Sequence, residues 1–488
     1  MQSAEKGAAY EPVIGLEVHA ELATESKAFC GCSTRFGAPP NSQACPVCLG
    51  LPGALPVLNQ EAVEHALRVA LALDCEILVP CIFERKNYYY PDLPKNYQIS
   101  QKRRTLGRSG RLEIEVAGNP TWVGIDDVHL EEDTGKLTHP EGAGDDYSLV
   151  DYNRSGVPLL EIVGAPDLNS LDQVSAYMAA IRELLLYLRA SDCRMEEGKL
   201  RFEANISLRP VGSRELGARV EIKNLNSFRT VLRCLEHERY RQQQVLRAGE
   251  QVARETRLWD EIACASAAMR SKEEAQDYRY FPEPDLVPLV IDKEWLARAR
   301  ASLPELPRSK RRRFVQALGL SDYDAGILTA DRELADYFEA VTAGGIEPKA
   351  AANWVTGELS RHLNERGVSA AAAPVTPPQT AELIRLVEQR AITANAAKEV
   401  LAEMFASGRA AHEIIEERGL AQIQDQDELQ AVITRVLAEN PSGVADFAAG
   451  KTQALKFLVG QVMKATRGRA NPQAVNDILR KRLAMARE

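Results

Sequence analysis

Between Pro12 and Leu22 apolar and polar residues alternate with a period of two. Ile14, Leu16, Val18, Ala20 and Leu22 fall on one side of an extended chain, and Glu17, His19 and Glu21 fall on the other. The pattern predicts a strand with one core face and one face bearing two carboxylates and an imidazole. Residues 200–208 repeat it, with Phe202, Ala204, Ile206 and Leu208 inward and Arg201, Glu203, Asn205 and Ser207 outward. Residues 219–223 set Val220 and Ile222 against Arg219, Glu221 and Lys223. Three such strands read as one sheet with a charged open face. Alternation alone also describes strands that merely turn charge to water. Glu161 argues for more, because it interrupts the apolar run Val157-Pro158-Leu159-Leu160-Glu161-Ile162-Val163, where a lone carboxylate needs a partner. The segment His129-Leu130-Glu131-Glu132-Asp133 adds a dense acidic stretch. Oxygen ligands with one imidazole suit Mg²⁺ or Mn²⁺ better than zinc, and Mg²⁺ ordinarily comes with a nucleotide.

The period changes along the chain. Residues 11 to about 292 mix strand and helix patterns, whereas after Leu303-Pro304-Glu305-Leu306-Pro307 the chain is rich in Ala, Leu and Glu at helical spacing. Ala373-Pro374-Val375-Thr376-Pro377-Pro378 interrupts that spacing, and another break runs from Ser407-Gly408 to Gly419. The expectation is an α+β chain: a mixed or antiparallel sheet with helices over residues 1–292, an all-α domain over 293–405, and a small all-α tail over 406–488.

Composition narrows the possibilities. With 488 residues, 45% hydrophobic and 26% charged, wholesale disorder and fibrous repeats are out. No apolar run reaches the roughly 20 residues of a membrane span and no export signal opens the chain, so a soluble cytoplasmic protein without membrane contact is expected. A net charge of −9 speaks against non-specific coating of nucleic acid, yet residues 441–488 hold nine Lys/Arg against three Asp/Glu, a local surplus of +6. In that end Lys451, Lys456, Lys464, Arg467 and Arg469 flank apolar helical positions as a candidate RNA-facing patch, although a solvated helix face gives the same pattern. Four of the nine cysteines read Cys30-x-Cys32 and, twelve residues on, Cys45-x-x-Cys48, the spacing of a structural Cys₄ zinc knuckle. Walker, GxGxxG and GxSxG signatures are absent. Nucleotide chemistry must then rest on metal and carboxylates. Two stretches interleave aromatics with cations, Arg85 to Lys95 and Asp277 to Asp285. They suit stacked bases and phosphates, and core tyrosines with basic tips suit them equally.

Taken together, Val13 to His19, Cys45 to Gly53, Lys86 to Gln101, His129 to Lys136, Val150 to Val163, Glu221 to Phe228, Asp277 to Leu286, Phe457 to Lys464 and Ala470-Asn471-Pro472 closely resemble the B subunits of the aspartyl/glutamyl-tRNA amidotransferases. The resemblance implies a cradle-shaped N-terminal kinase and transamidase domain, a helical domain and a tRNA-contacting tail. It implies a ligase that uses ATP and Mg²⁺ to phosphorylate the side-chain carboxylate of Glu-tRNA(Gln) or Asp-tRNA(Asn). Ammonia from glutamine, delivered by a partner amidase (A) subunit, then displaces phosphate. A small C subunit would complete a heterotrimer, and a transient complex with the non-discriminating aminoacyl-tRNA synthetase is expected. Matching positions make Glu17, His19, Glu132, Glu161 and Glu203 the expected Mg²⁺-binding and catalytic groups. Lys86 and Lys95 would meet phosphate or shape the ammonia path, and Cys30, Cys32, Cys45 and Cys48 would hold structural Zn²⁺.

Two of these matches meet friction. Strict alternation from Val123 pairs His129 with Glu131 and turns Glu132 to the apolar side, so the family pattern at Glu132 requires a bulge or strand end before Gly135. At position 203 many family members carry Asp, one methylene shorter. The competing reading is a non-catalytic, zinc-containing tRNA-binding scaffold, for which Glu161 in its apolar run would have no use.

Overall fold

The structure is a computed structural model describing residues 9–139, 147–269, 278–423, 426–448, 451–466 and 469–485. It divides into two compact units, Met1–Leu306 and Pro307–Glu488.

The first unit is built on a nine-stranded sheet. Its strands run in the order Ala265–Ala268, Glu255–Asp260, Val220–Leu225, Leu200–Pro210, Tyr10–Glu21, Pro158–Gly164, Asn119–Glu132, Gly107–Val116 and Glu76–Ile77. All neighbours are antiparallel except Val220–Leu225 with Glu255–Asp260, so the sheet is mixed. The alternation of Tyr10–Glu21 is obeyed: Ile14, Leu16, Val18 and Ala20 are almost wholly buried and join one core with Leu160, Ile162, Phe202, Ala204 and Ile206. Helices Gln60–Ala72, Leu171–Tyr187 and Phe228–Arg247 contribute Leu67, Met178, Ile181, Val231 and Leu235 to that core. Each helix starts on a side-chain cap, Asn59, Ser170 and Ser227 respectively, whose oxygen takes an otherwise unpaired backbone N–H.

Register fixes what the other face carries. His19 stands opposite Arg201 on one side and Glu161 on the other, and Glu161 stands opposite His129. Glu17 stands opposite Glu203, one two-residue step along the same strands. A three-stranded sheet of Phe281–Pro282, Glu84–Asn87 and Tyr97–Ser100 lies beside this unit's main sheet. It joins the two aromatic and basic stretches, with Phe281 paired to Arg85. Asp277 lies outside the described residues.

The first unit runs past the expected boundary at 292. Helix Lys293–Ala301 packs on it through Ala299 in the core and a 2.7 Å bond from Trp295 Nε1 to Glu64. Composition changes at Asp292, but packing changes only at Pro307.

The second unit is helical among its described residues and holds two cores. Phe314, Phe338, Leu359, Val400, Met404 and Leu420 belong to one, and Ile423, Ile433, Leu458, Val462, Val475 and Leu479 to the other. Helix Ala411–Arg418 contributes Ala411 and Ile414 to the former, so the tail's own core starts at Ile423 and not at the glycine break near 406. Among the described residues no helix is long and apolar enough to cross a membrane.

Candidate active site and metal centres

Three side chains meet on the polar face of the main sheet. His19, Glu131 and Glu161 bring one ligand atom each to within 4.8 Å of one another. Glu161 Oε2 lies 3.0 Å from His129 Nε2 and 3.5 Å from His19 Nε2, and Glu131 Oε1 lies 3.9 Å from His19 Nε2. His129 is oriented from behind by Asp127, whose Oδ1 is 2.8 Å from Nδ1. One step along the strands a second triplet forms from Glu17, Glu203 and Glu221, again within 4.8 Å. Asn205 donates to Glu17 at 2.9 Å, Lys223 contacts Glu203 at 2.8 Å and Glu221 at 3.2 Å, and Thr256 donates to Glu221 at 2.8 Å.

The electrostatics are those of a site short of positive charge. Burial, then Glu161 and Glu203, push the Glu17 carboxyl up. Burial pushes Glu131 up as well, with Lys86 opposing it and Glu161 adding to it. Glu161 goes the other way: burial would raise it, but the two imidazoles outweigh that and hold it well below the carboxylate range. His129 shows the complement, since burial alone would lower it, yet Glu161 and Asp127 push it up to about 10. Lys86 is half-buried facing Glu131 and Glu161, which with Tyr280 overcome the burial penalty and raise it, and its ammonium also sits 5.2 Å from the Tyr278 ring centre.

Glu132 is elsewhere. The strand Asn119–Glu132 keeps regular register with Pro158–Gly164 from Asp127 to its end, and its one irregularity falls between Ile125 and Asp127. No bulge intervenes, so Glu131 takes the His19 side while Glu132 turns away. There Glu132 forms an ion pair with Lys95 and accepts from the Ile99 N–H at 2.9 Å. That pair lines a cavity of about 150 Å³ together with Cys48, Gly50, Tyr97 and Asp285. Of the five residues expected around the cation, the first triplet joins His19 and Glu161, the second joins Glu17 and Glu203, and Glu132 joins neither. Glu131, Glu221 and His129 stand outside the expected ligand set, although strict alternation places Glu131 beside His129 and Glu221 on the outward side of its strand.

Cys30, Cys32, Cys45 and Cys48 converge with their sulfurs within 4.8 Å. Cys48 Sγ accepts the Cys45 N–H at 3.1 Å, and the Lys27 ammonium lies 3.6 Å away. Lys27 is fully buried, and its other contacts are the carbonyls of Gln43 at 2.7 Å and Tyr152 at 3.2 Å. A buried ammonium facing carbonyls and sulfur suits a metal–tetrathiolate, whose excess negative charge it offsets. The loop also abuts Lys95: Gly50 has φ +65°, and a Cβ there would run into the Lys95 side chain.

In the tail, Lys456 and Lys464 are exposed eight residues apart along helix Thr452–Ala465, while Lys451 pairs with Asp446 at 2.8 Å. Arg469 is half-buried, with Nε 3.4 Å from the Thr466 carbonyl. Arg467 lies outside the described residues.

The open face of the mixed sheet gathers carboxylates, imidazoles and lysines into groups that could hold a cation, and comparison with known proteins gives the chain's class. Residues 12–297 match the family model described as the GatB/GatE catalytic domain, and residues 336–483 match the GatB domain. Three curated relatives carry the name of the B subunit of aspartyl/glutamyl-tRNA(Asn/Gln) amidotransferase. That of Carboxydothermus hydrogenoformans is 54% identical over 97% of this chain and 99% of its own. That of Moorella thermoacetica is 55% identical over 97% and 100%, and that of Geotalea uraniireducens 53% over 97% and 99%. The chain belongs to the family of aspartyl/glutamyl-tRNA(Asn/Gln) amidotransferase B subunits.

Proposed function

We propose that this chain is the kinase and transamidase subunit of a tRNA-dependent amidotransferase. In this reading the side-chain carboxylate of Glu-tRNA(Gln) or Asp-tRNA(Asn) attacks the γ-phosphorus of ATP and ADP leaves. Ammonia then attacks the acyl carbon, phosphate departs, and the nitrogen loses a proton to give the amide. The observation that carries the reading is the pairing of two ligand triplets on one sheet face, His19/Glu131/Glu161 and Glu17/Glu203/Glu221.

These residues fit hard divalent ions: five carboxylates and one imidazole, with the carboxyls of Glu17 and Glu131 raised by burial and by neighbouring carboxylates. Bound Mg²⁺ supplies the charge neutralisation that lets phosphate and carboxylate approach. The chain's own groups do the rest. His129, held by Asp127, orients Glu161, and Lys86 presents a fixed cation beside Glu131 toward which transferring phosphate oxygens can move. The Lys95–Glu132 pair and its cavity lie on the other side of the strand and suit a path for ammonia, a small polar molecule that needs donors and acceptors but no charge.

The four cysteines would hold zinc, closed to substrate by four thiolates and therefore structural. Ammonia would come from a partner amidase subunit, with a small third subunit completing the assembly, and the exposed Lys456 and Lys464 would meet tRNA. The test is the assembled complex with Glu-tRNA(Gln) and with Asp-tRNA(Asn), with and without ATP and Mg²⁺. Amide formed only with both ATP and Mg²⁺ is expected, and amide formed without ATP, or none with either tRNA, refutes the reading.

A further inference from the structure

Glu21 is the last residue of strand Tyr10–Glu21, on the same face as Glu17 and His19 and two residues beyond the latter. Past it the sheet gives way to a cleft of about 410 Å³, lined by Thr24, Thr34, Arg35, Phe36, Arg194 and Lys199 among others. Charges in this cleft are matched to each other. Lys199 contacts Asp192 at 2.6 Å and Glu197 at 3.0 Å, and Arg194 contacts Glu197 at 2.8 Å. The guanidiniums near Glu21 are directed at another acid: Arg201 lies 2.8 Å and Arg154 3.7 Å from Asp133 Oδ2. Glu21 keeps one oxygen buried without a hydrogen-bond partner while its carboxyl otherwise lies against that of Asp133, and among the described residues no cation stands within ion-pair distance of it. Burying an acceptor without a donor is costly, and burying a carboxylate without a cation more so.

We propose that Glu21 receives the α-ammonium of the glutamyl or aspartyl residue esterified to the RNA, with the adjoining cleft taking the terminal nucleotide. The assignment rests on the amidotransferase reading above and deepens it by locating the substrate's non-reacting end. Chemistry supplies the cation: esterification removes the α-carboxylate, so the bound residue carries an uncompensated ammonium at one end and the reacting carboxylate at the other. Geometry supplies the span. Residues two apart on a strand have Cα atoms about 6.7 Å apart, and an extended glutamyl residue separates its α-nitrogen from its side-chain carboxyl carbon by roughly 5 Å. A residue anchored on Glu21 therefore reaches the His19, Glu131 and Glu161 cluster with its reacting end. Phe36, 59% exposed, stands with the exposed Arg35 on the cleft wall, an aromatic face and a cation of the kind that hold a nucleotide base and phosphate.

The test compares wild type and Glu21→Gln in the assembled complex on Glu-tRNA(Gln) and on N-acetyl-Glu-tRNA(Gln), whose α-nitrogen bears no charge. Wild type should show a KM about 10- to 100-fold higher for the acetylated substrate, the range of one charge-assisted hydrogen bond. Glu21→Gln should raise KM by a similar factor for the free amine and change the acetylated substrate by no more than about twofold. Glu21→Asp, which keeps the charge, should restore part of the preference. Equal loss on both substrates in Glu21→Gln, as a merely structural role would give, overturns the assignment. So does a wild type indifferent to acetylation, which decides the matter even if the variant fails to fold. A wild-type complex that makes no amide from unmodified Glu-tRNA(Gln) instead overturns the functional reading, and this assignment with it.

Discussion

Glu131 and Glu132 are neighbours in sequence on opposite faces of one strand, so replacing each by glutamine separates the cation site from the Lys95 pair. Glu131 is 4% exposed, and its Oε1 stands 3.9 Å from His19 Nε2. Taking that separation as an outer limit for a shared ion, a unit charge and a divalent cation attract by about 8 kcal/mol at an effective dielectric of 20. Much of this is offset in the wild type, where burial and Glu161 already disfavour the charged form of Glu131 in the empty site. Glutamine also keeps one ligand oxygen. A net loss of about 2–4 kcal/mol remains, roughly a 30- to 1,000-fold increase in the Mg²⁺ needed for half-maximal phosphorylation. Glu132→Gln should leave that Mg²⁺ dependence within about twofold while lowering the stability of the first unit, because Lys95, 7% exposed, loses its carboxylate. The assay is ADP release by the assembled complex with misacylated tRNA, titrated with Mg²⁺ and repeated with Mn²⁺. An equal shift in both variants, or a shift confined to Glu132→Gln, would refute the placement of the cation on the Glu131 face.

Replacing Cys45 or Cys48 by serine should release the bound metal, read as loss of stoichiometric zinc by mass spectrometry, and should loosen the Gly50–Lys95 contact. Full zinc retention in both would exclude the four-sulfur site. Asp133 is held down to about 2: burial would raise it, but Arg201 and Arg154 outweigh burial. Its folded value lies below its unfolded one, so its contribution, about 2 kcal/mol, is present above pH 4 and lost as pH falls toward 2. The destabilisation of Asp133→Asn in urea should therefore be seen at pH 7 and vanish near pH 2, and a penalty independent of pH would contradict the ion-pair origin. Lys456→Glu with Lys464→Glu should raise KM for tRNA several-fold and flatten its salt dependence while leaving glutamine hydrolysis by the complex unchanged. An unaltered salt slope would remove these lysines from the tRNA contact.

Much of the site is legible before any coordinates, and the reason lies in the period of two. Once Ile14, Leu16, Val18 and Ala20 are assigned to a core, Glu17, His19 and Glu21 share the opposite face by geometry alone, and the same holds for Phe202 and Ala204 against Arg201 and Glu203. The run around Glu161 is legible for the opposite reason. Leu160 and Ile162 enter the core while Glu161 turns to the two histidines, so a carboxylate amid apolar neighbours marks the side that is not core. At Glu131 and Glu132 family likeness and local alternation point to different residues, because two adjacent glutamates differ in face and not in type, and the fold puts Glu131 on the His19 side. Lys27 gives no signal at all: a lysine in a polar stretch reads as exposed, and only the fold brings the cysteines, Gln43 and Tyr152 around it. Composition changes at Asp292, whereas the helix that docks through Trp295 and Ala299 does not register in composition.

A sheet face is a demanding place for this many acids, and the cationic and hydrogen-bonding groups fixed beside them offset part of that cost. In one triplet Glu161 is neutralised by two imidazoles, one of them held by Asp127, while Lys86 faces Glu131 from the adjoining small sheet. In the other, Lys223 bridges Glu203 and Glu221, and Glu17 accepts from the Asn205 amide. Each triplet is thus partly compensated by fixed cations and keeps one carboxyl, Glu131 or Glu17, that burial and neighbours push upward. Such a site would favour the entry of divalent ions, since each would relieve a raised carboxyl and compete with the protons held there. Affinity for the divalent ion should accordingly rise with pH through the range in which those two carboxyls ionise. Isothermal titration of the assembled complex with Mn²⁺ in buffers of different ionisation enthalpy should detect protons released on binding, and binding without proton release would show that neither carboxyl was protonated in the empty site.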